Sequence, residues 1–270
     1  MGAPAPGAYS PPGFAYGPPP WEAERRKQID RTKTGVLLLL IGTLILWIPL
    51  IGAIGGLLLL IGAILVILGR KAFGPAHARN VMISLGIFIV GIIASVLLGL
   101  VFILTLSTAL AQLSGSATPE QIAAAVQSAF NTFLLGAIVV SAISGIASVL
   151  FTYALQNPTG RILLWAGYGA NLAVSIAVFV VIGAALSAAL ALATSGGSFD
   201  ETPILAVQVQ ITTLGLLSAI PAVLFAGANY IAWSRISRGE IPAGSGGPPG
   251  MPGAMPPMPP TGGVPPITPR

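Results

Sequence analysis

The chain has 270 residues, of which 54% are hydrophobic and only 7% are charged. Soluble domains carry about 25% charged residues, so this composition excludes a water-exposed surface over most of the molecule and favours a lipid bilayer around it. The net charge of +5 comes from Lys and Arg that flank apolar runs, which indicates membrane orientation rather than a nucleic-acid partner. The chain has no cysteine, which excludes disulfides, thiolate metal sites and a cysteine nucleophile.

The two ends of the chain are rich in Pro and Gly. Residues 1–20 and 239–270 are predicted to be disordered tails, because such sequences bury too little apolar surface to fold. Two interpretations of the tails stay open, a docking site for a cytoplasmic partner and a solvated spacer. Residues 21–238 form the predicted membrane domain. No signal peptide is visible before it, so the first membrane helix is expected to direct insertion.

The first apolar segment, "GVLLLLIGTLILWIPLIGAIGGLLLLIGAILVILG", runs from Gly35 to Gly69 without a charge. As one helix it would be about 52 Å long, whereas the hydrocarbon core of a bilayer is roughly 30 Å thick. Pro49 lacks an amide hydrogen and breaks a continuous helix. The sequence therefore predicts a short hairpin of two helices, at about 33–48 and 51–69.

Four longer apolar stretches follow, and each is predicted to be one tilted or protruding helix. Thr118, Pro119 and Gln121 form a capping box with proline at the first helical position, so they mark one helix start. The segments "GPAHAR" and "QNPTGR" are predicted to be turns. The predicted spans are 80–113, 119–156, 161–194 and 203–235.

The positions of the basic residues decide the number of spans. With six spans, all 12 Lys and Arg fall on one face of the membrane, and Lys and Arg are retained in the cytoplasm. With five spans they would be divided between both faces. The predicted fold is therefore an all-α integral protein of the cell membrane, with six transmembrane helices and both termini cytoplasmic.

Two internal patterns concern how these helices pack. The segment "LSTALAQLSGSATP" resembles "LSAALALATSGGSFDETP", which suggests that the two longer hairpins are a tandem duplication. In the first hairpin, Gly35 and Gly42, then Gly55, Gly62 and Gly69, recur every seven residues. That spacing predicts close packing of the first two helices along one face, because small residues let helix backbones approach.

Charged residues occur only at the ends of the predicted spans, and none lies in the interior of a span. The ionisable side chains that proton relays, carboxylate pairs and serine–histidine catalysis need are therefore missing from the membrane interior. We expect no enzyme, no cofactor and no metal site. A small basic cluster in the first cytoplasmic loop is a candidate site for anionic lipid headgroups, although setting the topology is the simpler role for it. The cluster consists of Arg70, Lys71, His77 and Arg79.

Uncharged polar residues gather toward the outer ends of the long helices. Spacings of three, four and seven residues place them on common helix faces, and together they are candidates for an outward-facing vestibule for a neutral or weakly charged solute. Contact with water beyond the hydrocarbon and hydrogen bonds between helices are the alternatives. The residues are Thr105, Thr108, Gln112, Gln127, Asn131, Gln208 and Thr212.

The stretch from Thr34 to Ala94, which includes "RKAFGPAHARN", resembles uncharacterised archaeal and bacterial multi-pass membrane proteins classed as domains of unknown function. The resemblance implies a membrane fold and no activity. The sequence alone favours a non-enzymatic structural or interaction protein in the lipid bilayer, which forms a homo-oligomer. A channel or facilitator for a neutral or weakly charged solute is one alternative, and an anionic-lipid-binding membrane organiser is another.

Overall fold

The computed structural model describes residues 19–48, 50–113, 118–194 and 215–242, and within them the chain is helical with no strand. A 3₁₀ helix (Arg70–Phe73) connects the second and third α-helices. The six described α-helices are α1 (Pro20–Leu46), α2 (Gly52–Gly69), α3 (Pro75–Leu113), α4 (Pro119–Tyr153), α5 (Pro158–Thr194) and α6 (Ala219–Ser237). Both predicted tails lie largely outside the described residues.

Five segments of the described chain are helical, long and apolar enough to cross a membrane, as expected of a multi-pass membrane protein. Helix α1 is not among them, because its first half is charged and its apolar part begins only at Thr34. The five segments are Gly52–Phe73, Pro75–Ala111, Glu120–Tyr153, Pro158–Leu192 and Gly215–Ser237.

The first apolar segment folds as two helices, which confirms the predicted hairpin. Helix α1 ends at Leu46 and α2 begins at Gly52, although Pro49 itself lies outside the described residues. The predicted glycine packing is also confirmed. A Cβ atom placed on Gly35 would lie 2.7 Å from the carbonyl oxygen of Gly62, so only glycine permits this approach of the two backbones.

The starts of α3 and α5 correct the sequence prediction. Both helices begin at a proline, Pro75 and Pro158, several residues before the predicted starts. Proline suits the first helical position because the amide hydrogen that it lacks would be unpaired there anyway. In consequence most of "GPAHAR" is helix rather than turn. The capping box at the start of α4 is confirmed, since Gln121 N donates to Thr118 Oγ1 at 3.4 Å and Thr118 N donates to Gln121 Oε1 at 3.1 Å.

The helices pack around a common axis in the order α2, α1, α6, α5, α4, α3. We call the end of the bundle that carries Lys71, Arg161 and Arg235 the basic end, and the opposite end the far end. Five of the six helices contribute to a buried core at the basic end, while α2 and α3 barely touch each other beyond it. The core consists of Val36, Leu39, Val66, Val81, Phe151, Leu155, Ala232 and Ile236.

Candidate functional site

A cavity of about 600 Å³ lies on the far side of this core, and all six described helices contribute to its wall. We call it the central cavity. Its volume falls within the range of roughly 300–1,000 Å³ that small-molecule sites occupy. Most of the lining is apolar and includes Leu59 and Ile67 of α2, Leu85 and Phe88 of α3, and Phe225 of α6. Such a wall offers apolar contact over most of its surface.

Helix α4 supplies a line of hydroxyl groups to the cavity. Ser141, Ser144, Ser148 and Thr152 all line it, because residues three or four apart share one helix face. The Ser148 hydroxyl donates to the carbonyl oxygen of Ser144 at 3.2 Å. That hydroxyl can still accept a hydrogen bond from a molecule in the cavity.

Two asparagines face the cavity from the opposite side of the bundle. Asn171 comes from α5 and Asn229 from α6, and Asn229 is only 7% exposed. A buried amide offers two donors and an acceptor, and it costs free energy wherever they stay unpaired. These amides can therefore hydrogen-bond a neutral polar group in the cavity.

Two further polar atoms in the cavity wall are buried and have no hydrogen-bond partner among the described residues. They are Oγ1 of Thr152 and Nε1 of Trp47. Unsatisfied groups of this kind cost about 1–3 kcal/mol each, so a bound molecule that hydrogen-bonds them lowers the free energy of the whole site.

The chemistry that the central cavity offers is uncharged. The residues that line it, all within the described ranges, supply hydroxyl, amide and indole groups and no ionisable side chain. The described part of the chain also contains no group of three or more His, Cys, Asp or Glu that could hold a metal ion. The cavity wall therefore combines apolar contact with hydrogen-bonding groups that carry no charge.

The structure brings together only part of the predicted outer vestibule. Gln127 Nε2 donates to Asn131 Oδ1 at 2.9 Å, and both residues line an open groove between α4 and α5. Thr105 and Thr108 are exposed on α3 and do not line this groove. The side chain of Gln112, and all of Gln208 and Thr212, lie outside the described residues.

The predicted basic cluster is divided as well. Lys71 and Arg79 are exposed, whereas Nη1 of Arg70 donates to the carbonyl oxygen of Ile67 at 2.6 Å. His77 points inward, is 1% exposed and packs edge-on against Phe73. It is therefore not available to a lipid headgroup. The reason is that α3 begins at Pro75, which turns this residue toward the core instead of leaving it in a loop.

The central cavity is not apparent from the sequence. The serine and threonine line on α4 was visible as a spacing of three and four residues, but the same pattern is typical of helix packing in membranes. Asn171 and Asn229 were the sharper signal, because an amide in the middle of an apolar helix needs a partner. Comparisons of this chain with protein-family models, with curated proteins and with solved structures found no match.

Proposed function

We propose that this protein binds a neutral amphipathic molecule in its central cavity, as a six-span protein of the cell membrane with both termini in the cytoplasm and without a chemical reaction of its own. The observation that carries the proposal is the cavity itself, an apolar volume of about 600 Å³ that contains hydroxyl and amide groups and no charge. The apolar part of such a molecule contacts the apolar wall. One or two of its polar groups form hydrogen bonds with Asn171, Asn229 and Thr152.

The six-span topology is supported by the packing of α1. This helix runs antiparallel to α2, with Gly35 beside Gly62 and Gly42 beside Gly55. If α2 crosses the membrane, the apolar part of α1 lies at the same depth and crosses it too. Its 13 uncharged residues from Thr34 to Leu46 span only about 20 Å, so the bilayer must thin locally or Lys33 must extend toward the headgroups.

A membrane-soluble ligand has a route to the cavity between α2 and α3. These helices barely touch beyond the basic end, yet both line the cavity, through Leu59 and Leu85 among others. A gap between two helices of a membrane protein opens onto lipid, not onto water. We therefore infer entry from the bilayer, which favours a lipid-like ligand over a water-soluble one.

Topology is tested by labelling introduced thiols, since the chain has no cysteine of its own. Ala76→Cys and Thr118→Cys place a thiol at exposed positions near opposite ends of the bundle. In intact cells a membrane-impermeant maleimide is expected to label position 118 but to reach position 76 only after permeabilisation. Labelling of position 76 from outside would require the orientation to be reversed.

Binding is tested with a photoreactive neutral amphiphile, a diazirine-bearing diacylglycerol, added to the purified protein in nanodiscs. We expect labelled peptides from the helices that line the cavity. Asn171→Leu together with Asn229→Leu keeps the side-chain volume similar and is expected to weaken binding about 10-fold, the equivalent of two net hydrogen bonds of about 0.7 kcal/mol each.

A cavity-filling variant provides the second arm of the binding test. Ala63 of α2 lines the cavity, so Ala63→Leu should reduce labelling by occupying the space. Ala53→Leu adds the same volume to the same helix at an exposed position outside the cavity, and it should leave labelling unchanged. Equal labelling of all four proteins, or labelling only of outward-facing residues, would show that the cavity does not hold the ligand.

A further inference from the structure

A second cavity of about 700 Å³ lies at the basic end, outside the apolar part of the bundle. We call it the basic-end cavity. It is formed by the start of α1, the 3₁₀ helix, the end of α4 and the chain after α6, which contributes Ile241 and Pro242. We propose that this cavity binds the phosphate-bearing headgroup of an anionic phospholipid from the cytoplasmic leaflet. The inference depends on the membrane orientation proposed above but not on any ligand in the central cavity.

Two cations in the wall of this cavity have no acidic partner among the described residues, and these are Arg25 from α1 and Lys71 from the 3₁₀ helix. Other cations at the basic end, in contrast, form ion pairs with acidic residues. Arg26 pairs with Glu22 at 2.7 Å, and Arg235 and Arg238 both pair with Glu240. Two cations that line one cavity and have no ion-pair partner there form a site for a phosphate group, which supplies the missing negative charge.

One acidic residue, Glu24, also lines the cavity, and its charge is already partly compensated. Its Oε1 atom accepts a hydrogen bond from Gln28 Nε2 at 3.4 Å and lies 4.0 Å from Nη1 of Arg31. The balance of charge at the cavity therefore stays positive. This arrangement favours a monoanionic phosphodiester over a neutral or cationic group.

The depth of the cavity matches the lipid headgroups. The antiparallel packing of α1 and α2 places Gln28 beside Gly69, since a Cβ atom on Gly69 would clash with the Gln28 carbonyl oxygen. Gly69 ends the apolar run of α2. Arg25 lies three residues further out along α1, about 4.5 Å at the rise of an α-helix. The headgroup layer is roughly 5–8 Å deep on each side of the hydrocarbon, so Arg25 lies at the level of the phosphates.

Apolar and aromatic groups complete the site. Trp21, Phe73 and the buried Leu155 line the cavity. Tryptophan is favoured where one part of the ring meets lipid and the other meets water. A phospholipid presents glycerol and ester carbons beside its phosphate, whereas a free phosphate does not. These apolar contacts make the lipid, and not soluble phosphate, the occupant that fits.

The structure thus moves the candidate lipid site away from the cluster predicted from the sequence. Of that cluster only Lys71 lines the basic-end cavity. Its main partner, Arg25, is distant in the chain and could be associated with it only through the antiparallel register of α1 and α2. The buried His77 belongs to the wall of neither cavity.

The test measures binding of phosphatidylglycerol to the full-length protein in detergent by native mass spectrometry, with phosphatidylcholine as the neutral reference. We expect one phosphatidylglycerol to be retained preferentially. Arg25→Gln with Lys71→Gln should weaken that binding by about 25-fold, at roughly fivefold for each basic residue near the membrane surface. The matched control, Arg26→Gln with Lys27→Gln, removes two exposed cations from the same region outside the cavity and should leave the binding within twofold.

Three outcomes would overturn the proposal. An equal loss in both double variants would mean diffuse attraction of anionic lipid to the basic end. Displacement of the lipid by millimolar inorganic phosphate would mean a soluble phosphate ligand. No preference for phosphatidylglycerol over phosphatidylcholine would mean no headgroup site at all.

Lys71→Gln alone changes one exposed side chain, and its expected fivefold loss keeps the test decisive if the double variant misfolds. The Ala63→Leu variant should bind phosphatidylglycerol normally, which separates this site from the central cavity.

Discussion

The packing around glycine residues differs between two regions of this molecule. In the α1–α2 hairpin, a Cβ atom on Gly42 would lie 2.8 Å from the backbone oxygen of Gly55, and Gly35 and Gly62 are equally close. In the far halves of α3 and α5, a Cβ atom on Gly99 would meet nothing within 4 Å, and one on Gly183 only a side-chain oxygen at 3.9 Å. The same residue type permits backbone contact in the first region and has no packing role in the second.

Burial divides the molecule in the same way. Among the described residues, buried side chains concentrate in the hairpin and at the basic end, whereas beyond Gly91 on α3 and Gly167 on α5 no residue of those helices is buried. The far halves instead expose large apolar side chains such as Leu100, Ile103 and Val180. Such surfaces can contact lipid tails and need no neighbouring helix to cover them. Stability should therefore depend more on the hairpin and the basic end than on the exposed apolar faces of these far halves.

The largest expected effect comes from disturbing the glycine contact of the hairpin. Gly62→Leu places a side chain against backbone atoms of Gly35 and Leu39, at 2.7 and 3.1 Å from the new Cβ. Because the backbone cannot yield as a flexible side chain would, we expect a loss of about 3 kcal/mol in the free energy of unfolding, at the upper end of overpacking costs. Chemical unfolding in detergent micelles, followed by tryptophan fluorescence, measures it.

Gly99→Leu is the matched control, with the same substitution in the other region. It projects into open space and should change the free energy of unfolding by no more than about 0.5 kcal/mol. A loss comparable with that of Gly62→Leu would show that the far halves are packed in the functional protein, for instance against a second copy of the chain, and the comparison would fail.

The second prediction concerns a polar contact at the basic end. Nη1 of Arg235 donates to the carbonyl oxygen of Leu155 at 2.7 Å and so joins α6 to the end of α4. Arg235→Met keeps an unbranched apolar stem but removes the donor, and it should lower the free energy of unfolding by about 1.5–2 kcal/mol, as for other hydrogen bonds from charged groups.

Arg238→Met separates this hydrogen bond from the ion pairs nearby. Arg238 pairs with Glu240 at 3.1 Å but its side chain is 65% exposed, and exposed pairs are worth at most about 1 kcal/mol. Unfolding in the same micelles should therefore be little affected. If the two variants lost the same stability, the bond to Leu155 would not be what holds α6 to α4.

How much of this could be read from the sequence depends on the range of the interaction. The hairpin, its glycine register and the capping box of α4 follow from patterns within a few turns of one helix, and all three are confirmed. The central cavity depends on which helices are neighbours, such as α1 beside α6, and no periodicity specifies that. The resemblance over Thr34–Ala94 and the predicted duplication stay predictions.

The candidate sites show the same limit. His77 is polar and follows a glycine and a proline, so the sequence suggested an exposed loop, whereas the early start of α3 buries it. Arg25 and Lys71 share a cavity only because the glycine register aligns the two helices. Asn229 is a polar residue in a mainly apolar helix. It lines the central cavity only because α4 and α5 lie opposite it.

The smallest expected effect comes from the polar residues of the far half of α4. Gln127 and Asn131 hydrogen-bond each other at 2.9 Å within one helix, so Gln127→Leu should cost no more than about 0.6 kcal/mol, the average for polar contacts in membrane bundles. Ser84→Ala is the comparison from the packed region, because the Ser84 hydroxyl donates to the carbonyl oxygen of Ala147 on another helix and is fully buried. It should cost more, about 1–2 kcal/mol. If Gln127→Leu instead cost more than Ser84→Ala, the groove between α4 and α5 would be a binding surface. Only a partner or solute held there would make an exposed hydrogen bond within one helix contribute more than a buried hydrogen bond between two helices.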